Sequence, residues 1–495
     1  MVLMGLSVCQ KAPKAEYARH NQQKNLLYQI IQCHWQSFAT LCESQAHPVP
    51  NFIKKEFEAY LRCGVLEYGF ARVYCQECRY DRLIGFSCKK RGFCGSCLAR
   101  RMSESSARLV DSLIPRIPTR QWVLSVPAPL RYLIAYDNDA LNAVLSIFMS
   151  VLFSYLRKKS KRCGGKALRA QDYYPGAVTF IQRFGSALNL NVHLHSQVSD
   201  GVYVRYANNK IHFIRVLPPS SEEIKTITIK IAKKVHRYLE RRMQAIESDN
   251  LLEREPLLAK CYMASIRYLS ALGEQSGKPL LRLIAPEQIK EETPDRTVMG
   301  FNLHASVAIE ATDRAGLERT LRYMGRPPLS SERLKIAPDG QNLLLTLKSP
   351  WRNGTTTILL TPFELIERLV ALIPYPRKNL IRYHGFFAPN AELREEIISG
   401  FVSHQGHDSK KPGRPNFAQL MARVFDIDVL FCPRCHSKMQ LISLVTEPQA
   451  IKDILRSLKM STAPPDIEEP SMYSIVYEND GINLVDDISQ IEFVD

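Results

Sequence analysis

The chain has 495 residues, 45% hydrophobic and 23% charged, an ordinary globular composition with apolar mass for two to four domains rather than one core. Lys and Arg outnumber Asp and Glu by 66 to 49; residues 461–495 hold nine acidic residues and no Lys or Arg, so the other 460 carry 66 against 40. A body this basic suits a polyanionic partner, and the acidic end reads as a solvated tail or as an internal competitor for the basic surface. The longest apolar run, Ala143 to Leu156, is too short to span a bilayer, and MVLMGLSVCQKAPK lacks the pattern of a signal peptide. The expectation is a cytoplasmic chain with no membrane partner. Its thirteen cysteines then point to metal ligands or buried thiols before disulfides.

Residues 1–65 read as an N-terminal helical region. Leu26, Leu27, Ile30, Ile31, His34, Phe38 and Leu41 recur at helical spacing, and a second amphipathic stretch runs from Phe52 to Leu61. Residues 66–105 read as a zinc-binding module. Cys75-Gln-Glu-Cys78 and Cys94-Gly-Ser-Cys97 stand fifteen residues apart, a spacing that fits one tetrahedral four-thiolate site; Cys88 is a fifth thiol that could replace one of the four. Such a site is closed, so its role is folding and presentation of DNA-binding surface rather than catalysis. Arg72, Arg79, Arg82, Lys89, Lys90, Arg91, Arg100 and Arg101 surround the knuckles.

Across 106–400, strand-like runs (WVLSVP, AVTFIQRF, LNLNVHLHSQV, FNLHASVAIEA) alternate with helical patterns over 138–158, 220–245 and 313–325, which suggests an α/β or α+β layer domain. His193 and His195 flank Leu194 in a strand, so both imidazoles project from one face and can meet one metal ion. The helix 313–325 has Leu317, Leu321 and Met324 on one stripe, with Thr312 available as N-cap. Tyr323 lies off that stripe, with Arg319 four residues before it and Arg326 three after it, a grouping able to meet a phosphate. KKPGRPNF (410–417) reads as a linker, 401–460 as a small C-terminal module, and 461–495 as the acidic tail. Cys432-Pro-Arg-Cys435 is a single knuckle in that module, a second zinc candidate that His436, His404 or His407 could complete.

RQWVLSVPAPLR (120–131), FIQRFGSALNLNVHLH (180–195), LRYMGRPPLSSERL (321–334), SPWRNGTT (349–356) and RYHGFFAPNAELR (382–394) resemble the bacterial rolling-circle transposases of the insertion sequence 91 family. FSCKKRGFCGSCLARRM (86–102) is similar to that family's N-terminal zinc-binding segment. The resemblance runs from about residue 25 to 445. It implies an α+β chain whose nuclease domain is of the HUH type, a mainly antiparallel sheet carrying two histidines around a hydrophobic residue and flanked by helices. The histidine motif maps onto His193-Leu194-His195 and the nucleophile onto Tyr323. Family members commonly carry a second tyrosine four residues earlier; Arg319 stands there in this chain, as in the single-tyrosine branch associated with common-region elements.

The activity so implied is nicking and rejoining of single-stranded or melted DNA at element ends, through a 5′-phosphotyrosine and a free 3′-OH. Mg²⁺ or Mn²⁺ on His193 and His195 would polarise the scissile phosphate. Gln182 is the preferred third ligand, with His304 or Glu318 as alternatives, and Arg319 and Arg326 would hold phosphates. The structural metal would be Zn²⁺. No Walker-type phosphate loop is present in the sequence, so unwinding would come from a host replication or helicase factor. The competing readings are a replication initiator or relaxase using the same nuclease, and a catalytically inactive zinc-containing DNA-binding protein.

Overall fold

The computed structural model describes residues 22–164, 169–206, 210–245, 251–289, 297–403 and 431–464. The linker 410–417, His404, His407 and nearly all of the acidic tail lie outside the described residues. The chain forms two compact units: a smaller one that combines residues 62–87 with 411–465, and a larger one that includes 23–61 and 88–410.

In the smaller unit β1 (Phe70–Tyr74) and β2 (Asp81–Gly85) form an antiparallel pair around the CQEC turn. A C-terminal strand, Gln440–Val445, adds to the other edge of β1, with Phe70 opposite Val445 and Tyr74 opposite Gln440. The helix Pro448–Ser457 follows, its first N–H groups received by the Glu447 carboxylate. The β1–β2 pair alone would be marginal in water; the third strand and the helix after it complete a core of Leu66, Phe70, Leu83, Val445, Ile451 and Leu455, drawn from segments far apart in the chain.

The larger unit opens with α1 (Leu26–Ser44), where Asn25 Oδ1 accepts the Leu27 N–H at 2.9 Å. Its buried face holds Leu27, Ile30, Ile31 and Phe38, as the periodicity requires, and Trp35 stacks on Phe57 of α2 (Asn51–Leu61) at 4.0 Å. Next come α3 (Gly95–Ser112), β3 (Thr119–Ser125), α4 (Ala128–Tyr136) and α5 (Asn138–Gly164). Then follow β4 (Tyr173–Tyr174), β5 (Gly176–Phe184), β6 (Leu190–Ser199), β7 (Gly201–Arg205) and β8 (Ile211–Arg215). After them run α6 (Ser221–Ala245), α7 (Leu251–Arg254), α8 (Pro256–Arg267), β9 (Arg282–Ile289), β10 (Asn302–His304), β11 (Ala308–Ile309) and α9 (Arg314–Met324). The unit is completed by β12 (Leu334–Ile336), β13 (Leu343–Thr346), β14 (Asn353–Leu360), α10 (Pro362–Leu372), β15 (Ile381–Gly385) and a helix, Arg394–Ser403.

The central sheet runs β10-β3-β6-β5-β15, with β11 also on β3, and every pairing is antiparallel. Smaller sheets, β12-β13-β14-β9 and β4-β7-β8, accompany it. The expected α+β class with antiparallel sheets and flanking helices is what the chain adopts. The register settles the faces. Val123 and Phe180 pair with His195, and Ser125 and Gln182 with His193, so these residues share one face. α3 and α9 cover it, packing Leu109, Val110, Leu317, Leu321 and Met324 against Val178 and Phe180. On the opposite face Trp122 is buried, its ring 6.2 Å from Tyr155 of α5.

Three local expectations need correction. The apolar run read as 143–156 is part of a longer helix; by length and composition Asn138–Arg162 could cross a membrane, but 56% of its most apolar window is buried inside the fold. Its hydrophobicity therefore serves the core. FNLHASVAIEA is not one strand: it breaks after His304, which turns the Ala305 carbonyl to accept from Arg120 Nη1 at 3.0 Å. The cap of α9 is Asp313, whose carboxylate accepts the Gly316 N–H at 2.8 Å, rather than Thr312.

Arg120 also makes a two-pronged pair with Asp200, at 3.0 and 2.8 Å, with both side chains 5% exposed. Removing one partner strands the other charge in the interior, which typically costs about 3–5 kcal/mol. Asp200→Ala should lower the unfolding midpoint in thermal or denaturant melts by that order, while the surface pair Lys54–Glu43 should contribute under about 1 kcal/mol.

Candidate active site and cysteine clusters

β6 delivers His193 and His195 to the face under α9, 7% and 5% exposed, with ring centroids 4.7 Å apart. His193 Nδ1 lies 2.7 Å from the Asn191 carbonyl oxygen, and His195 Nδ1 lies 3.2 Å from Gln121 Nε2. These contacts fix the ring orientations and leave His195 Nε2 buried with no partner. Burial first, then the nearby charges of His193 and Arg326, hold the His195 imidazole well below its ordinary pKa, so it is neutral, and its lone pair lies on Nε2 when the Gln121 amide is turned to present its oxygen to Nδ1–H.

Gln182 of β5 sits directly across from His193. Its Nε2 donates to the carbonyls of Tyr323 and Met324, at 3.2 and 2.7 Å, satisfying two orphan groups at the end of α9. Its Oε1 is buried without a partner. Two imidazoles plus an amide oxygen form a donor set that suits a divalent cation, and both orphaned atoms are what such an ion would satisfy. The other third-ligand candidates are engaged elsewhere: exposed His304 meets Ser306 Oγ through Nε2 at 3.0 Å, and Glu318 pairs with Arg322 at 2.5 Å.

Tyr323, 48% exposed, stands with its ring 6.2 Å from that of His195 and nearly perpendicular to it. The amphipathic period of α9 buries Leu317, Leu321 and Met324 and leaves the tyrosine out of the core. The guanidinium of Arg326 lies over the ring at 4.0 Å and Lys348 Nζ at 5.4 Å. Burial, followed by Arg326 and Arg333, brings the Lys348 ammonium down to about 8. Arg319 is exposed one turn before Tyr323. Two neighbours escaped the sequence reading: Gln121, whose only signal was its place two residues ahead of Val123 on the partner strand, and Lys348, which immediately precedes SPWRNGTT. Arg326 bears the closest contact to the tyrosine; the sequence spacing alone ranked Arg319 beside it.

The cysteines group in an unforeseen way. Cys75 and Cys78 take Cys432 and Cys435 as partners instead of Cys94 and Cys97; the four sulfurs lie within 4.8 Å of one another, with Cys75–Cys435 and Cys78–Cys432 each at 3.4 Å. Zn–S bonds of about 2.3 Å require sulfurs roughly 3.8 Å apart, so the set fits a zinc ion. The two knuckles are built alike: Arg79, after Cys78, and His436, after Cys435, have positive φ of 56° and 58°. His436 is therefore a turn residue, its N–H donating to the Cys432 carbonyl at 2.9 Å. The β1 pairing with the C-terminal strand causes the regrouping, since it draws the C-terminal knuckle alongside the CQEC turn. In the larger unit Cys94 and Cys97 gather with Cys88, whose Sγ is 3.4 Å from that of Cys97.

Among family models, one described as “Transposase zinc-binding domain”, of the insertion sequence 91 type, matches residues 30–126, and one described as “Putative transposase” matches 176–394. No curated protein and no solved structure matches the chain. The second match contains Gln182, His193, His195 and Tyr323, and the first contains Cys75, Cys78, Cys88, Cys94 and Cys97. Carrying both domains in this order, the chain belongs to the insertion-sequence-91-like transposases.

Proposed function

We propose that this transposase cuts and rejoins single-stranded DNA at element ends through a covalent tyrosine intermediate. The observation that carries the reading is the half-exposed Tyr323 ring, 6.2 Å from His195, on the sheet face where His195 Nε2 and Gln182 Oε1 lack partners. His193, His195 and Gln182 would hold Mg²⁺ or Mn²⁺, which supplies positive charge to polarise a scissile phosphate. Tyr323 Oη attacks phosphorus in line; the P–O3′ bond breaks, the phenol proton passes to water, and the departing 3′ oxygen takes up a proton as 3′-OH. The product is a 5′-phosphotyrosine. Because a phenol of pKa about 10 leaves readily, the 3′-OH of another strand can attack back and reseal the backbone without a nucleotide cofactor. Arg326 and Lys348 counter the charge of the phenolate and the transferring phosphoryl group.

The four-thiol set of the smaller unit is, in the same reading, a structural zinc site that depends on the C-terminal knuckle. Cys88, Cys94 and Cys97 contribute to zinc binding in the larger unit.

Incubation with single-stranded oligonucleotides from the element's ends and Mn²⁺ should yield a covalent DNA–protein adduct that survives denaturation. The adduct should be absent in Tyr323→Phe; binding with no adduct under any divalent metal would overturn the assignment, and cutting confined to a plasmid origin would favour a replication initiator. Arg326→Ala should slow adduct formation by about 10²–10³-fold, the typical cost of one lost transition-state donor. The double variant Cys432→Ser/Cys435→Ser of the full chain should bind one zinc fewer by metal analysis; unchanged zinc content would refute the split site.

A further inference from the structure

The stretch RYHGFFAPNAELR carries the family resemblance, yet nothing in the proposed chemistry uses Arg382 or His384. Both lie on β15, two residues apart and so on one face of the strand. β15 pairs with β5 only as far as Ile381 opposite Phe180, which leaves Gln182–Phe184 of β5 as the outer edge of the sheet. A cavity of about 1080 Å³ occupies that edge, running from the end of the tyrosine helix at Gly325 and Arg326 to Arg382 and His384. This is at the upper limit of small-molecule pockets, about 300–1,000 Å³, and has room for more than one nucleotide.

The charge of the lining is one-sided. Arg91, Arg101, Arg183, Arg326 and Arg382 face the cavity, and among the described residues that line it there is no Asp or Glu. Arg183 is consumed by the fold, donating to the carbonyls of Ala135, Ala371 and Leu372 and to the Tyr262 hydroxyl. The others keep donor capacity. Arg326 Nε and Nη1 and Arg382 Nε are buried with no partner, and so is His384 Nε2. Burial, followed by the charge of Arg382, lowers the His384 pKa to about 4, so the ring is neutral at physiological pH. Buried, unpaired donors are costly unless a ligand satisfies them, and with no carboxylate present an anion is the chemistry that does so. Aromatic rings complete the surface: Phe184, under the Arg326 guanidinium at 5.6 Å, and Tyr383.

We propose that this cavity is a subsite for unpaired nucleotides of a DNA strand next to the scissile phosphate, with Arg326 and Arg382 on backbone phosphates and bases lodged against Phe184 and His384. Cations that follow a backbone, interleaved with stacking faces, are the combination that binds single strands with little sequence preference. The inference rests on the reading of Tyr323 as the DNA-attacking residue, because the cavity begins with the next residue, Met324.

The test measures binding of a labelled oligothymidylate to the full chain by fluorescence anisotropy, without added divalent metal, so that no cleavage intervenes. Arg382→Ala/His384→Ala should weaken binding about tenfold or more. Unchanged affinity in the double variant, with its thermal melt intact, overturns the subsite. If the double variant does not fold, photo-crosslinking of the parent chain with 5-iododeoxyuridine oligonucleotides decides: crosslinks within 180–184 or 381–385 support the subsite, and crosslinks confined to other peptides overturn it. The two readings fail separately. An adduct formed by the parent together with unchanged binding in the double variant removes the subsite alone, and weakened binding with no adduct removes the nuclease alone.

Discussion

One side-chain amide holds the candidate active site together. Gln182 donates both its N–H groups to the last carbonyls of α9 while its own strand stands in register with the histidine strand. The tyrosine is thereby indexed to the imidazoles by a contact from the sheet floor to the helix end, not by the loops between them. The other amide atom, Oε1, is left unpaired, on a residue that stands opposite His193 in the sheet. A glutamine serves both purposes because it offers a donor group and an acceptor on one short arm; a glutamate in its place would face carbonyl oxygens with oxygen.

Arrangement of charge follows the same economy. Both imidazoles are buried, and burial holds that of His195 well below its ordinary pKa, so an incoming cation meets a neutral ring there rather than repulsion. The cations Arg326 and Lys348 lie over the tyrosine ring, at 4.0 and 5.4 Å from its centroid.

What could be read in the sequence divides along a physical line. His193, His195 and Tyr323 were legible because period-two and period-3.6 patterns each decide a face locally, and a tyrosine off an apolar helical stripe has nowhere to go but outward. Helix α9 and strands β3, β5 and β6 fall where those periods place them. The cysteine grouping was not legible. Fifteen residues between two knuckles satisfied the spacing rule for one zinc site, and nothing local reveals that a strand more than 350 residues later will pair with β1 and bring Cys432 and Cys435 along. The interruption of FNLHASVAIEA was hidden for a similar reason, since the Ala305 carbonyl at the break is taken by Arg120, a residue far away in the sequence. Helix α5 begins at Asn138, as the pattern 138–158 required, and runs on to Gly164 through the basic residues Lys159, Lys161 and Arg162, which the apolar period does not mark.

The small sheet also sets a clock. Its central strand is made early, yet the strand that completes it emerges only after about 350 further residues. At roughly 5–20 residues per second, a ribosome leaves β1 with an open edge for on the order of 20–70 s. A chain interrupted between β15 and Gln440 would hold every strand of the central sheet and still lack this one. The small sheet thus closes only once synthesis has passed Val445, and copies that stop short of it would carry an uncapped β1 edge.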